Sequence, residues 1–264
     1  MNIFEAIILG AVQGLTEFLP VSSSGHLVLL QKIFGISEQA LLFDTMVHAG
    51  TLIAVFIVLW GDIRAIVRRI VQPLTGYLIL ATIPTVVVAL IFKELIEETF
   101  QSAAFLGFSF LFTALVLLVS EYVYRTGSVK PQAAMDWFDA LVIGVCQAVA
   151  IIPGVSRSGL TLSGALSRRL NRDFAARFIF LLSIPAILGA LVLQLKDLVR
   201  GEITLSIGIK PLIAGTLTAA VTGFFAIQFM LKFIKARSLR GFALYVAILG
   251  ILVLADQYVF HFFF

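Results

Sequence analysis

The fold is decided by a polar break, Pro20-Val21-Ser22-Ser23-Ser24-Gly25, that interrupts an apolar region at residues 2–34. A second break, Pro153-Gly154-Val155-Ser156-Arg157-Ser158-Gly159, interrupts another apolar region at residues 136–168. Each break leaves two apolar pieces of about 10–15 residues, too short to cross a bilayer alone. Irregular backbone persists at membrane depth only where protein or an aqueous cavity surrounds it. The breaks therefore predict two re-entrant helix hairpins that meet at a functional site.

The two hairpins match each other at a constant offset of 134 residues. Seven of twenty aligned positions are identical, namely Ala6/Ala140, Gly10/Gly144, Gln13/Gln147, Val21/Val155, Ser22/Ser156, Ser24/Ser158 and Gly25/Gly159. We interpret this as an internal repeat, with repeat 1 at residues 1–130 and repeat 2 at 131–264 of a single membrane domain. Each repeat would hold one hairpin and three spans, and because three is odd the second copy enters the membrane inverted.

The composition places the chain in a membrane. Sixty per cent of its 264 residues are hydrophobic and 13% are charged, against about 45–50% and 25% in soluble domains. Besides the hairpins, six stretches are long enough to span a bilayer, at about 40–60, 76–93, 103–124, 174–196, 211–232 and 241–262. The expected fold is therefore an all-α polytopic membrane protein with six transmembrane helices, two re-entrant hairpins and an inverted repeat.

The distribution of Lys and Arg predicts the orientation. If both hairpins return to the side from which they entered, thirteen basic residues lie on one face and five on the other. The positive-inside rule then places the richer face in the cytoplasm and both termini outside. The net charge of +4 reports this orientation and does not indicate nucleic acid as a partner.

Arg157 lies inside the second hairpin, at membrane depth, where an arginine costs roughly 2.5–3.5 kcal/mol on insertion scales. One interpretation is an ion pair with Glu17, the other charge at that depth. The other is an anionic ligand, because the guanidinium fork matches phosphate geometry and the N-terminus of the following half-helix favours anions.

The first hairpin offers different chemistry at equivalent positions. Glu17 replaces Ile151, Ser23 replaces Arg157 and His26 replaces Leu160. If the loops meet, an acid, a hydroxyl and an imidazole face a cation, which together resemble a phosphate site with a carboxylate for Mg²⁺ or Ca²⁺. Each residue also has a structural interpretation: Ser22 and Ser24 as helix caps, and His26 as a satisfied buried histidine.

Gln13 lies one helical turn before Glu17 and shares its face, so its amide is a second candidate metal or phosphate ligand. Asp44 and His48 are also four residues apart, at the head of a span. Their spacing suits a metal, although we favour a supporting or structural pair.

Two long motifs carry a family resemblance. Residues 13–26, Gln-Gly-Leu-Thr-Glu-Phe-Leu-Pro-Val-Ser-Ser-Ser-Gly-His, and residues 153–161, Pro-Gly-Val-Ser-Arg-Ser-Gly-Leu-Thr, resemble the (E/Q)-x-x-x-E and P-G-x-S-R-S-x-x-T motifs of the bacitracin-resistance family of undecaprenyl-diphosphate phosphatases. Length and repeat architecture match too, so the resemblance covers essentially the whole chain. Many members of the family have Glu at the position of Gln13, and the amide should hold a divalent metal less strongly.

The resemblance implies removal of the terminal phosphate of undecaprenyl diphosphate in a bacterial inner membrane, with dependence on Mg²⁺ or Ca²⁺. Glu17 and Gln13 would serve the metal, and Ser23 and His26 would carry out hydrolysis. The expected diphosphate contacts are Arg157, Ser22, Ser24, Gly25, Gly154, Ser156, Ser158 and Thr161. The expected partners are a polyprenyl diphosphate lipid, the bilayer and, as an open question, a second copy in a homodimer.

Two questions stay open at this stage. Ser23 could attack phosphorus with His26 as its base, or His26 could activate water directly. A transporter or flippase of a lipid phosphate or a small anion is the alternative function, because inverted repeats with broken helices are typical of carriers. A carrier needs anion donors but has no use for the acid, hydroxyl and imidazole of the first hairpin.

Overall fold

The structure, a computed structural model, describes residues 1–36, 41–200 and 207–264. The described residues form helices and connecting turns, without a β-strand among them. Residue 40, where the first predicted span begins, lies outside the described residues.

Seven α-helices precede residue 130. They are α1 (Ile3–Phe18), α2 (Ser23–Ile33), α3 (Leu41–Val58), α4 (Trp60–Arg68), α5 (Pro73–Ile91), α6 (Lys93–Ser102) and α7 (Leu106–Arg125). Helices α1 and α2 form the first hairpin, and the polar break separates them as expected.

The second half has the same order of long elements. A short 3₁₀ turn, Gln132–Ala134, leads into α8 (Trp137–Val149), α9 (Arg157–Ser167), α10 (Arg172–Val199), α11 (Ile209–Ala236) and α12 (Arg240–Ala255), and a π-helical turn, Asp256–Phe260, follows. Helices α8 and α9 form the second hairpin, broken at residues 150–156.

The expected all-α polytopic membrane fold is confirmed. Five helical segments of the described chain are long and apolar enough to cross a bilayer, and α3 with α4 makes a sixth if the pair is one span. The prediction of a span at 40–60 needs correction at its end, because the chain bends by 76° between α3 and α4. Asp62, Arg64 and Arg68 explain the bend, since α4 has no buried residue and charged side chains do not continue into hydrocarbon.

The two hairpins begin in the same way. The Asn2 side chain caps α1, with Glu5 completing a capping box, and Asp136 and Asp139 make the same box at α8. Each box satisfies two of the free N–H groups that begin a helix. Because Asn2 and Asp136 are 134 residues apart, the start of each hairpin is set at the repeat offset.

The hairpins pack on reciprocal partners. A Cβ atom built on Gly10 of α1 would lie 2.3 Å from the carbonyl oxygen of Gly215 on α11, and one on Gly144 of α8 would lie 2.5 Å from that of Ala81 on α5. Only glycine permits this approach, so α1 lies directly on α11 and α8 on α5. Both members of each contact recur at the offset of 134. The division into inverted repeats stays a prediction, and this exchange of partners is what it requires.

Basic residues near the helix ends are joined by buried acids. Arg172 of α10 donates from Nη2 to both carboxylate oxygens of Glu121 at 2.8 Å, and from Nη1 to the Arg237 carbonyl. Lys130 and Arg168 both contact the fully buried Asp139. These contacts tie α7, α9, α10 and the end of α11 together on the side that is rich in Lys and Arg.

Candidate active site at the meeting of the two hairpins

The two polar breaks contact each other. A Cβ atom on Gly25 would lie 3.0 Å from the Cα of Gly154 and 2.7 Å from the ring of Phe110. The Ser158 hydroxyl donates to the Leu19 carbonyl at 2.7 Å, which joins the start of α9 to the end of α1. Gly154 has a φ of +82°, a conformation that residues with a Cβ rarely adopt. The loops therefore converge through glycines that allow close approach.

Ser22 and Ser156 cap the two half-helices. The Ser22 Oγ accepts from the Gly25 N–H at 3.2 Å, and the Ser156 Oγ accepts from the Gly159 N–H at 3.0 Å. Both side chains are buried, so capping occupies these two predicted phosphate contacts. Ser24 lies beside the first cap, with its Oγ 3.4 Å from that of Ser22. Ser22 differs from Ser156 in having a φ of +70°, which is strained for a serine.

Glu17 is the centre of the site. Its Oε1 accepts from the Arg157 Nη2, and its Oε2 accepts from the Ser23 hydroxyl at 2.5 Å and from the Gln13 Nε2 at 2.8 Å. Its side chain is 2% exposed. The ion pair considered for Arg157 is therefore present, and the acid and hydroxyl of one hairpin face the cation of the other.

His26 points away from this centre. Its Nδ1 lies 2.7 Å from the Ser22 carbonyl oxygen and its Nε2 lies 2.7 Å from the Tyr245 hydroxyl. Because a carbonyl only accepts, Nδ1 carries the proton and Nε2 accepts from Tyr245. The described contacts thus join Ser23 to Glu17 and not to His26. The bond to Ser22 turns the imidazole toward α12, a direction that sequence spacing on α2 does not reveal.

The remaining predicted phosphate contacts border a small cavity. Thr161 is buried, and its hydroxyl donates to the Arg157 carbonyl at 2.7 Å. Glu17, Arg157, Ser158 and Thr161 line a space of about 220 Å³, which α10 closes with Ile179, Phe180 and Ser183. A cavity next to a buried guanidinium and a hydroxyl suits a phosphoryl group.

Sequence reasoning missed Tyr245, Phe180 and Ser183, and it gave His48 too small a part. The first three lie on α10 and α12, far along the chain from the polar motifs, and their residue types carry no local signal. His48 lies with its Nε2 3.5 Å from the Glu17 Oε2. Its spacing from Asp44 was the signal that could have located it.

The residues around Glu17 fit a divalent cation in part. Gln13 is fully buried, and its Oε1 has no hydrogen-bond partner in the described structure. Such an orphaned acceptor beside a carboxylate is what a bound cation would satisfy. Within residues 1–36, 41–200 and 207–264, however, no group of three His, Cys, Asp or Glu could hold a metal. A cation at this place would therefore use the amide oxygen.

Comparison with known proteins gives one consistent family. The family described as "Bacitracin resistance protein BacA" matches residues 6–252. The chain is 49% identical to an undecaprenyl-diphosphatase of Carboxydothermus hydrogenoformans over 97% of this chain and 98% of the relative. It is 44% identical to undecaprenyl-diphosphatase 4 of Bacillus thuringiensis subsp. konkukian, with 98% of each chain covered. An undecaprenyl-diphosphatase of Methanosphaera stadtmanae is 40% identical, with 96% and 98% covered.

Proposed function

The chain belongs to the bacitracin resistance protein BacA family, and we propose from this premise that it is a membrane hydrolase that removes the terminal phosphate of undecaprenyl diphosphate. The products are undecaprenyl phosphate and inorganic phosphate. Full-length relatives named for this activity support the assignment. A transporter or flippase is not favoured, because the relatives are named as diphosphatases.

One observation carries the proposed chemistry: Ser23 and Arg157 both contact Glu17 at the junction of the hairpins. Ser23 is the first residue of α2, and Arg157 is the first residue of α9. The first turn of each helix has N–H groups without carbonyl partners inside the helix, so both helix starts favour an anion. A terminal phosphate placed here would have a hydroxyl, a guanidinium and two helix N-termini around it.

Ser23 is the nucleophile of this proposal. Its Oγ attacks the terminal phosphorus, the bond from that phosphorus to the bridging oxygen breaks, and undecaprenyl phosphate leaves. The hydroxyl proton passes to the Glu17 Oε2, which lies 2.5 Å away. Water then cleaves the phosphoserine, releasing phosphate and restoring Ser23. Glu17 replaces His26 as the base, because proton transfer requires hydrogen-bond reach.

Arg157 stabilises the charge that develops on the phosphoryl oxygens. One nitrogen of its guanidinium holds Glu17, and the group has five N–H donors in all, so others can face the substrate. Donors fixed in place before the reaction are typically worth about 10²–10³ in rate. The side chain is 23% exposed, which lets it reach a ligand while it stays anchored to Glu17.

Gln13 and Glu17 would hold a divalent cation, Mg²⁺ or Ca²⁺, through the orphaned amide oxygen and the carboxylate. When bound, the ion neutralises negative charge on the diphosphate. The remaining predicted contacts have supporting parts: Ser22 and Ser156 cap the half-helices, while Gly25 and Gly154 let the loops meet. Ser158 and Thr161 line the cavity.

Phosphate release from undecaprenyl diphosphate tests the activity. The purified protein in detergent should release inorganic phosphate, and acid quenching during turnover should trap phosphate on Ser23, detectable by mass spectrometry of the peptide. Lipid movement across vesicles without phosphate release would instead support a flippase. Phosphate release by a Ser23→Ala variant at near-normal rate would exclude the serine as nucleophile.

The orientation is part of the proposal. The chain is a multi-pass membrane protein, and the excess of Lys and Arg on one face supports an inner-membrane arrangement with both termini outside. In a Cys146→Ala background, a cysteine placed at Asn2 should react with an impermeant maleimide in intact cells, whereas one placed at Arg237 should not. The opposite pattern would reverse the topology.

A homodimer also belongs to the proposal as a prediction from the sequence. Native-membrane cross-linking followed by mass determination measures it directly. A single monomeric species at all cross-linker concentrations would contradict it.

A further inference from the structure

His48 lies at the active centre, although the proposed reaction does not use it. Its Nε2 is 3.5 Å from the Glu17 Oε2, the same oxygen that accepts from Ser23 and Gln13. The imidazole comes from α3, outside both hairpins. It is 27% exposed and thus open to a small ligand.

The hydrogen bond at the other ring nitrogen determines the state of Nε2. The His48 Nδ1 lies 2.6 Å from the Asp44 carbonyl oxygen, and a carbonyl only accepts, so Nδ1 carries a proton. A neutral ring then turns the Nε2 lone pair toward a carboxylate oxygen. Two such electron pairs repel each other unless a cation lies between them.

A proton alone explains the arrangement poorly. A charged imidazolium would donate to Glu17, but charge-assisted N–H···O bonds are about 2.7–2.9 Å long, and this separation is 3.5 Å. Two ligands that share one ion at about 2.1 Å lie roughly 3–4 Å apart. The distance therefore fits shared coordination better than a direct bond.

Gln13 gives a second, independent sign of a cation. Its Nε2 donates to the Glu17 Oε2 at 2.8 Å, so its Oε1, on the same carbon atom, lies close to the same carboxylate. This oxygen is buried and without a hydrogen-bond partner in the described part of the chain. Protonation of His48 would leave it unsatisfied, whereas a metal ion would not.

We propose that His48 is the third protein ligand, beside Gln13 and Glu17, of a divalent cation, and that the imidazole shifts the preference of this site from Mg²⁺ and Ca²⁺ toward Mn²⁺ or Zn²⁺. The inference rests on the proposed function, because it concerns the cation of the same reaction. Mg²⁺ and Ca²⁺ prefer oxygen ligands, and imidazole suits transition metals. A neutral amide in place of a second carboxylate further weakens the site for Ca²⁺.

The surroundings of His48 match those of a metal-binding histidine. Such residues donate their other ring N–H to a carbonyl or carboxylate, which fixes the tautomer, as His48 does with the Asp44 carbonyl. The Asp44 side chain is in turn held by the Gln31 Nε2 at 2.7 Å. The pair that the sequence suggested as structural therefore positions the third ligand.

Electron paramagnetic resonance with Mn²⁺ tests the proposal without relying on turnover. The purified wild-type protein, loaded with less than one equivalent of Mn²⁺, should show electron spin echo modulation from an imidazole nitrogen. His48→Gln should lose this modulation and bind Mn²⁺ at least about tenfold more weakly. His261→Gln is the matched control, because His261 lies in the exposed C-terminal segment, and it should keep both properties.

Histidine labelling keeps the test decisive if His48→Gln does not fold. The chain has three histidines, so the His26→Gln/His261→Gln variant carries His48 alone. Growth with ¹⁵N-histidine should convert its modulation from the ¹⁴N to the ¹⁵N pattern. Modulation that survives in folded His48→Gln, or its absence from Mn²⁺-loaded wild type, would overturn the inference.

Phosphate release by the same samples separates the two proposals. Wild type that releases phosphate but shows no imidazole modulation would remove His48 from the cation site and leave the hydrolase assignment intact. Imidazole-coordinated Mn²⁺ in a protein that releases no phosphate would retain the site and contradict the proposed reaction.

Discussion

The two hairpin loops share one backbone plan and carry different chemistry. Each breaks an apolar region, caps the second half-helix with a serine (Ser22 or Ser156), and places a glycine three residues after the cap. The first residue of that half-helix is Ser23 in one loop and Arg157 in the other. The frame that builds the loops is therefore common, and the substitutions fall where the loops face each other.

The difference shows how a repeated frame can form an asymmetric site. Two identical loops would place arginine against arginine or serine against serine. In this chain the first loop provides a nucleophile and α1 its acid, while the second provides the cation that neutralises both Glu17 and the substrate. The predictions below change one loop and its counterpart in turn.

Loss of the cation should have the largest effect. Arg157→Ala should lower phosphate release by about 10³-fold or more, and it should destabilise the protein by about 3–5 kcal/mol because Glu17 stays buried and unpaired. Phosphate release and thermal unfolding in detergent measure the two effects. The Glu17→Gln/Arg157→Ala variant removes both charges, so it should recover stability without activity. Recovery of activity in that variant would mean that the pair is structural only.

Loss of the nucleophile should separate Ser23 from His26. Ser23→Ala should reduce the rate by about 10³-fold or more while the protein stays folded, since a nucleophile has no substitute in the site. His26→Gln should have a smaller effect, and Tyr245→Phe should match it, because His26 reaches Tyr245 and the Ser22 carbonyl instead of the reacting hydroxyl. Steady-state phosphate release compares the three variants. A greater loss in His26→Gln than in Ser23→Ala would return the base role to His26.

A methyl group on either loop glycine should weaken the junction, more so in the second loop. Gly154→Ala forces a Cβ into a left-handed conformation and 2.8 Å from both Leu106 and Ser109, for an expected loss of about 2–4 kcal/mol. Gly25→Ala meets only the clash with Phe110 and the Gly154 backbone, about 1–3 kcal/mol. Thermal unfolding in one detergent ranks the pair. Equal losses would show that backbone strain at Gly154 contributes nothing.

The smallest effect should distinguish the two caps. Ser156→Gly should lower the free energy of unfolding by about 0.5–1 kcal/mol through the lost cap and greater backbone freedom. Ser22→Gly should leave it unchanged or raise it slightly, because glycine relieves the strained φ of Ser22 and glycine caps nearly as well as serine. Chemical unfolding of both variants measures the difference. A similar loss in both would indicate that Ser22 is unstrained.

The sequence was sufficient for the class of fold and for the place of the site. Long apolar stretches can lie only in a bilayer, and two short polar breaks inside them can survive only where protein encloses them. The repeat offset added that the breaks correspond. Glu17, Ser23 and Arg157 were therefore identified as members of one site before any coordinates. The bend after Val58 was not expected, because hydropathy alone does not locate a change of direction.

Tertiary structure decided which of these groups touch. Sequence spacing made His26 the natural partner of Ser23, yet a bond to the Ser22 carbonyl turns the imidazole to Tyr245, and Glu17 takes its place. His48, Tyr245 and Phe180 enter from α3, α12 and α10, whose registers are set by glycine contacts and side-chain packing between helices. Local sequence determines which segments are buried and which residues can react, whereas the direction of each side chain depends on neighbours that are distant in the chain.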